Sequence, residues 1–297
     1  GSGPYMEQVV FSNIAGTGFD VIGGGGPSMK TYDTSGAGSW KGITRTDTAL
    51  YNKKGYMLFV RGDRTVTFIA TPANETKLRS TGLLFDPASN IPPVTSVGSG
   101  KFESIGNPYA SAIDFSNDLA VIKSANMQRV FYVWDPKLGT GYGGYQAFVK
   151  GAGTDYTVLP GGGSYPLAGS VHNLVQSGQA FFVRAVGGTG TIQFTENAKV
   201  NGSSLVTRPG NGNGQRNRRL RTLLYSLQGT GSILSDGVMN EFDPSFSGSI
   251  DILDVHKLTN VNESISLVAG NVKLSAERRG NLLPRDTIFF KLENLRL

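Results

Sequence analysis

A group of aromatic and acidic side chains in a glycine-rich stretch has the chemistry to bind a sugar. The group consists of Trp134, Asp135, Tyr142, Tyr145, Asp155, Tyr156 and Tyr165. Flat aromatic faces stack on sugar rings, carboxylates accept hydrogen bonds from hydroxyl groups, and glycines allow a ligand to approach the backbone closely. The competing interpretation, which we favour, is that the tyrosines alternate into a β-sheet core while the glycines only form turns.

A second set of side chains could supply oxygen ligands to a calcium ion. Asp251 and Asp254 lie near Glu241 and Asp243, and oxygen is the ligand that Ca²⁺ prefers. Alternation along a strand explains these carboxylates equally well. The chain has two histidines, His172 and His256, and no cysteine, so a His-rich or thiolate metal site is not expected. Apart from Ca²⁺, the sequence predicts no cofactor.

The positive charge of the chain is concentrated in one segment. The net charge is +6, and six basic residues with no acidic residue lie between positions 197 and 235, so the remainder is neutral. At the centre of this segment is a basic patch formed by Arg216, Arg218, Arg219 and Arg221. Such a patch could bind an acidic polysaccharide. A solvated linker followed by an edge strand is the alternative, since edge charges discourage aggregation. Nucleic acid is not an expected partner because few aromatic residues are nearby.

Motifs of catalysis are missing from the sequence. It contains no Gly-x-Ser-x-Gly, no His-Glu-x-x-His and no P-loop, and the glycines from 139 to 144 lack a strand-to-helix setting. A glycosidase needs only two suitably separated carboxylates, which sequence spacing does not reveal. We therefore expect a protein that is not an enzyme.

The tripeptide Arg61-Gly62-Asp63 has the composition of an integrin ligand, but it also consists of turn-forming residues.

All of these residues must be positioned by short strands joined at glycines. The chain of 297 residues has 41 glycines, and only 17% of its residues are charged. Two stretches repeat each other, each a Gly-to-Phe-Val-Arg strand followed by a Thr-to-Phe strand, with an aromatic–Asp pair upstream. The copies are Gly55–Arg61 with Thr65–Phe68 after Tyr32-Asp33, and Gly178–Arg184 with Thr191–Phe194 after Trp134-Asp135. This pattern indicates a duplicated structural unit.

The predicted fold is all-β, with tandem related β-sandwich-like units followed by a C-terminal β-sandwich. We place the first unit at 7–100, a second unit with longer loops at 101–200, a linker at 201–215 and the C-terminal sandwich, expected to be truncated, at 216–297. Positions 111 to 125 are predicted to form a short helix, because Ser111 can cap it and Ile113, Leu119 and Ile122 have roughly helical spacing.

Several motifs, taken in order, resemble a known family. Those in the middle of the chain are Ile105–Asp114, Phe131–Pro136 and Gly178–Val183, and those further on are Asp243–Phe246, Asp251–Leu258, Glu277–Arg279 and Asp286–Ile288. They resemble a region of very large secreted Bacteroidetes proteins, found just upstream of the C-terminal sorting domain of type IX secretion substrates. The resemblance implies export across the outer membrane and residence at the cell surface or in the medium.

The resulting expectation is a non-catalytic, structural or adhesive, adhesin-like β-module of a secreted bacterial protein. The alternatives are a carbohydrate-binding accessory module of a secreted hydrolase, or a secretion passenger that docks on the transport machinery. Extracellular polysaccharide and secretion-system components are the candidate partners. Membrane insertion is not expected, because no apolar run approaches the roughly 18 residues that a spanning helix needs.

Overall fold

A computed structural model describes residues 29–43, 50, 53–58, 94–139, 143–151, 156–165, 173–201 and 218–296. These residues form β-strands and one 3-10 turn, Glu196–Ala198, so the all-β prediction is confirmed. The strands are β1 (Met29–Asp33), β2 (Ser39–Gly42), β3 (Tyr56–Leu58), β4 (Val94–Val97), β5 (Phe102–Gly106), β6 (Ala112–Asp114), β7 (Val121–Lys123), β8 (Val130–Asp135), β9 (Gly144–Lys150), β10 (Tyr156–Leu159), β11 (Leu174–Val175), β12 (Ala180–Arg184), β13 (Gly190–Phe194), β14 (Lys199–Val200), β15 (Arg218–Gln228), β16 (Gly231–Phe242), β17 (Val255–His256), β18 (Ser264–Ala269), β19 (Val272–Arg279) and β20 (Phe289–Glu293). No helix in the described ranges is long and apolar enough to span a membrane.

The repeated sequence corresponds to a repeated strand arrangement. In the first copy the order is β2-β1-β3, and in the second it is β9-β8-β12, all neighbours being antiparallel. The aromatic–Asp strand is central both times, and its aromatic residue pairs with an aromatic of the next strand: Tyr32 with Trp40, and Trp134 with Tyr145. The two copies therefore share strand order and cross-strand pairing, not only sequence.

The second copy lies within a five-stranded sheet of order β10-β9-β8-β12-β5. One face of this sheet packs on two small sheets, β4-β13-β7 and β11-β6-β14. Side chains alternate between the faces of a strand, so Phe181 and Val183 of β12 enter this first core while Phe182 points to the opposite face. Aromatic rings fill much of the first core, among them Phe115, Phe131, Phe148, Tyr156 and Phe194.

The opposite face of the five-stranded sheet belongs to a second core that joins three sheets. Tyr132 and Phe182 of the five-stranded sheet meet Tyr32 of the first-copy sheet and Met239 of the C-terminal sheet. The other buried members are Val130, Tyr145, Ala147, Val149, Leu159, Val255 and Ala276. Separate regions of sequence thus bury their apolar faces against one another.

The C-terminal sheet has the order β15-β16-β19-β18-β20, with β17 also paired to β19. The β16–β19 pair is parallel, and a register shift interrupts the long β15–β16 hairpin between Leu224 and Tyr225. The sheet curls around a small core of its own, formed by Val238, Ile265, Leu267 and Leu274.

One strand pairing crosses the predicted boundary between the first and the second unit. Strand β4, at the end of the predicted first unit, pairs with β13 of the second. Residues 202–217, which include most of the predicted linker, lie outside the described residues. The remaining bounds stay predictions, although the second core shows that the C-terminal sheet packs directly on the five-stranded sheet.

The predicted helix at 111–125 is wrong. This segment forms β6 and β7, joined by turns in which the Asp114 carboxylate accepts hydrogen bonds from the Ser116 backbone N–H at 2.8 Å and its hydroxyl at 2.6 Å. Such local bonds compete with a helix. The apparent helical face is not a face either, because Ile113 is buried whereas Leu119 is 90% exposed.

Candidate functional site

The tyrosines of the predicted sugar site are core residues. Tyr145, Tyr156 and Tyr165 expose only 7%, 2% and 4% of their surfaces, and burial raises the pKa of each above its ordinary value. Tyr165 packs edge-on against Phe148 with ring centroids 4.8 Å apart. These three rings therefore offer no stacking surface to a sugar, and the core interpretation favoured from the sequence describes them. Alternation along β9 and β10 directs Tyr145 and Tyr156 inward, and Tyr165 packs inward from the segment after β10. Tyr142 and Asp155 of the same predicted site lie outside the described residues.

Asp135 has a structural role in the same region. Its buried carboxylate accepts hydrogen bonds from the backbone N–H of Lys137 and of Ser164 at 2.9 and 2.8 Å, from the Ser164 hydroxyl at 2.9 Å and from Gln146 Nε2 at 3.1 Å. The loop that approaches it requires Gly163, which has φ +59° and where a Cβ would overlap Asp135 Oδ2. Through these bonds the carboxylate holds the turn at Lys137 and the turn at Ser164 together.

Trp134 takes part in an aromatic junction between the two copies of the repeat. The junction consists of Tyr32, Trp40, Trp134, Tyr145 and Phe182. Trp40 Nε1 donates a hydrogen bond to the Tyr145 hydroxyl at 3.0 Å. Phe182 lies edge-on to Tyr32, Trp40 and Tyr145, at centroid distances of 4.8, 5.5 and 5.7 Å. Trp134 packs edge-on against Tyr145 at 4.8 Å. The edge-to-face geometry is the favourable one for aromatic pairs.

The two carboxylates of the predicted calcium site are held by backbone groups. Both oxygens of the buried Asp254 accept N–H bonds at 2.8 Å, one from Asp251 and one from Arg278, and Asp251 Oδ1 accepts a bond from Leu253 N–H at 2.8 Å. Burial raises the pKa of Asp254. The described residues contain no group of three or more histidine or carboxylate side chains arranged to hold a metal. Calcium at this position stays a prediction.

The described members of the predicted basic patch differ in the partners that they bind. Arg219 binds Glu241 Oε1 through Nε at 2.9 Å and Nη2 at 2.7 Å, and Arg278 Nε donates to the other Glu241 oxygen at 2.7 Å. Arg221 reaches the Pro160 carbonyl at 3.3 Å, and burial lowers its pKa. Arg218 is exposed. Arg216, His172 and the tripeptide at 61–63 lie outside the described residues.

A neighbouring cluster of cations was not predicted from the sequence. Asp118 forms salt bridges with Lys123 at 3.0 Å, with Lys150 at 3.1 Å and with Arg129. Burial alone would raise the pKa of Asp118, but the ammonium groups of Lys123 and Lys150 outweigh it and lower that pKa. The pKa of Lys123 falls to about 8 because burial outweighs the attraction of Asp118.

This cluster continues into the arginines of the C-terminal sheet. Arg278 Nη2 donates to the Lys150 carbonyl at 2.7 Å, and Arg219 Nη1 lies 3.4 Å from the Thr157 hydroxyl. We call Lys123, Arg129, Lys150, Arg219 and Arg278, with their carboxylates, the basic seam. Only the pairing of β8 with β9 brings Arg129 beside Lys150, so sequence spacing gave no signal for it.

Comparison with known proteins finds no matching family model, no matching curated protein and no matching solved structure. The chemistry and packing of the described residues therefore carry the functional argument.

Proposed function

We propose that this chain is a non-catalytic structural module of a secreted, cell-surface bacterial protein, in which three sheets act as one rigid spacer that presents neighbouring domains. The observation that carries this proposal is the second core, where the first-copy sheet, the five-stranded sheet and the C-terminal sheet bury their apolar faces together. The secreted location is supported by the family resemblance of the sequence motifs.

Buried hydrogen bonds reinforce the contact between the five-stranded and C-terminal sheets. Tyr132 donates its hydroxyl proton to the His256 carbonyl at 2.8 Å, and Gln128 Nε2 donates to the Asp254 carbonyl at 2.7 Å. The backbone N–H of Tyr145 donates to Asn260 Oδ1 at 2.7 Å. Separating the sheets would leave these polar groups unpaired at an apolar surface. The free-energy cost of the lost hydrogen bonds would add to that of the lost apolar burial. Such a contact resists bending between the sheets, as a spacer requires.

Single-molecule pulling on the chain tests the mechanical part of the proposal. A rigid spacer is expected to unfold in one dominant event that includes both the five-stranded and the C-terminal sheet. Two separate events of similar size, at different forces, would contradict it. The location is tested by surface labelling of a tagged full-length chain in a bacterium with and without a functional type IX secretion system.

An adhesive role is a second candidate, favoured by the charge of the basic seam. Its five cations share two carboxylates, Asp118 and Glu241, which leaves a net charge of +3. Arg129 is 54% exposed at one end of the seam. The cations of the seam lie on β7, β9, β15 and β19 and just before β8, so three different sheets contribute to it. An acidic polysaccharide fits this charge, without help from the buried tyrosines.

Binding of a sulfated polysaccharide at several salt concentrations tests the adhesive role. Arg129→Gln should weaken binding and reduce its salt dependence, because one exposed cation of the seam is lost. Arg218→Gln is the matched control, since Arg218 is exposed but lies outside the seam. Equal weakening by both variants, or equally tight binding of a neutral polysaccharide, would contradict the assignment.

A further inference from the structure

The arginine of the second Phe-Val-Arg motif is buried without a counter-ion. Arg184 is only 8% exposed, and its Nε and Nη1 atoms are buried and have no hydrogen-bond partner in the part of the chain that the structure describes. Within those same ranges it forms no salt bridge, whereas other buried cations do: Lys257 bonds to Asp236 at 2.6 Å and Lys123 to Asp118 at 3.0 Å. Arg184 therefore differs from these two buried cations, each of which has a carboxylate partner.

An unpaired buried charge calls for a physical explanation. Buried polar atoms in native proteins nearly always have a partner, and an isolated buried cation is far more costly than an isolated neutral group. Burial lowers the pKa of Arg184, but a guanidinium is not deprotonated in proteins, so Arg184 keeps its charge at ordinary pH. A water molecule would satisfy the hydrogen bonds of the guanidinium but not its charge. A bound anion would satisfy both.

Among the described residues, the groups around Arg184 supply no negative charge to it. Arg184 lies on β12 opposite Phe102 of β5, and its guanidinium carbon is 5.4 Å from the centre of the Phe102 ring. The hydroxyl of Tyr132 on β8 interacts with Arg184, but burial raises the pKa of Tyr132, so it stays neutral. His256 of β17 has its pKa lowered to about 4 by burial and by Arg184, so it is neutral near pH 7.

The position also lies where two sheets meet. Phe182, two residues before Arg184 on the same side of β12, belongs to the second core, and the Tyr132 hydroxyl donates to the His256 carbonyl across the junction with β17. A turn at Gly100 with φ +70° passes the guanidinium, and a Cβ there would lie 4.0 Å from Arg184 Nη2. The Gly100 turn therefore lies within van der Waals distance of Nη2, the third nitrogen of the guanidinium, beside the two unpartnered ones.

We propose that Arg184, with the face of Phe102 beside it and the Gly100 turn at its edge, forms a binding site for an oxyanion: a carboxylate, sulfate or phosphate group. The guanidinium donates charge-assisted hydrogen bonds to the oxygens, and the surrounding apolar and aromatic groups strengthen them by excluding water. This inference goes beyond the proposed spacer function and does not rest on it, since a spacer is rigid with or without a bound anion.

Thermal unfolding of the purified chain in sodium sulfate, sodium phosphate or sodium chloride of equal ionic strength tests the site. An anion at about a hundred times its Kd raises the Tm of a domain of this size by about 5 °C. Sulfate and phosphate also stabilise folded proteins in general, because they are excluded from the protein surface. The rise in Tm relative to chloride should therefore be larger in the wild-type protein than in Arg184→Met by this order. Arg218→Met, at an exposed position, should show the wild-type rise. Glucuronate compared with glucose shows whether the carboxylate of an acidic sugar occupies the site as the inorganic anions do.

Two results would overturn the proposal: an equal wild-type Tm in all salts, or the same anion-dependent rise in Arg184→Met. If Arg184→Met does not fold, an NMR titration of the wild-type protein still tests the site. The Arg184 Nε resonance in a ¹⁵N-arginine-labelled sample should shift and saturate as inorganic sulfate is added, while a resonance that does not move refutes the site. The spacer function is judged separately, because it depends on how the sheets unfold and not on any anion.

Discussion

Replacing Phe182 with leucine should uncouple the first-copy sheet from the rest of the protein. Phe182 is buried and lies edge-on to Tyr32, Trp40 and Tyr145. Each such aromatic pair contributes about 0.5–1.5 kcal/mol beyond simple burial, and leucine retains part of the apolar contact. The loss of three pairs should therefore reduce the free energy of unfolding by about 2–3 kcal/mol.

The adjacent residue supplies a matched control. Phe181 is buried on the opposite face of β12 and also makes three edge-on contacts, with Phe115 at 5.6 Å, Phe131 at 6.1 Å and Phe194 at 6.2 Å. Phe181→Leu should cost a similar free energy, but it damages the first core and leaves the aromatic junction intact.

Denaturant unfolding followed by two probes distinguishes the variants. In a Trp134→Phe background, fluorescence reports Trp40 alone, because the chain has two tryptophans. For Phe182→Leu, the fluorescence transition should occur at lower denaturant than the circular dichroism transition of the sheets. For Phe181→Leu the two transitions should coincide. Coincident transitions in Phe182→Leu with no loss of stability, or separated transitions in Phe181→Leu, would refute the role assigned to the junction.

Two further predictions concern a turn and a histidine. Gly163→Ala should reduce the free energy of unfolding, measured by chemical denaturation, by about 2 kcal/mol or more, because the new Cβ would overlap the Asp135 carboxylate at a positive φ. Gly178→Ala is the control: its φ is +70° but the space around it is open, so it should reduce the free energy of unfolding by only about 1 kcal/mol. Equal reductions in the two variants would contradict the close approach of Gly163 to Asp135. Folding lowers the pKa of His256 from about 6.5 to about 4, so the unfolded chain binds the proton more readily and stability should fall as the pH decreases from about 6.5 to 4. The Tm of His256→Gln, measured across this pH range, should depend less on pH than the Tm of the wild-type protein. An unchanged pH dependence would exclude His256 as the cause.

The fold class could be predicted because it depends on local pattern. Short β-rich runs and frequent glycines indicated strands, and the repeated Phe-Val-Arg stretches indicated duplication, which the shared order β2-β1-β3 and β9-β8-β12 matches. The helix prediction at 111–125 failed because the spacing of three apolar residues was given more weight than the turn-forming Asp114, Ser116 and Asn117. The local pattern did not distinguish a helix from two short strands joined by turns.

The candidate sites could not be predicted because they depend on sheet pairing. Tyrosines among glycines fit both a sugar-binding loop and a core; we favoured the core, and the structure decided between them by burying Tyr145, Tyr156 and Tyr165. The cations around Asp118 come from separate strands, and nothing in the sequence marks Arg184 as unpaired. In each case the missing information was which strands neighbour each other and which face is buried.

The proposed spacer depends most directly on the three sheets behaving as one body, and native-state hydrogen exchange measures this. Backbone amides of β1 in the first-copy sheet, of β8 in the five-stranded sheet and of β19 in the C-terminal sheet should exchange with the same free energy of opening and the same dependence on denaturant, because all three belong to one cooperative unit. Exchange of β19 amides through a separate opening of distinctly lower free energy, while β8 stays protected, would contradict the account.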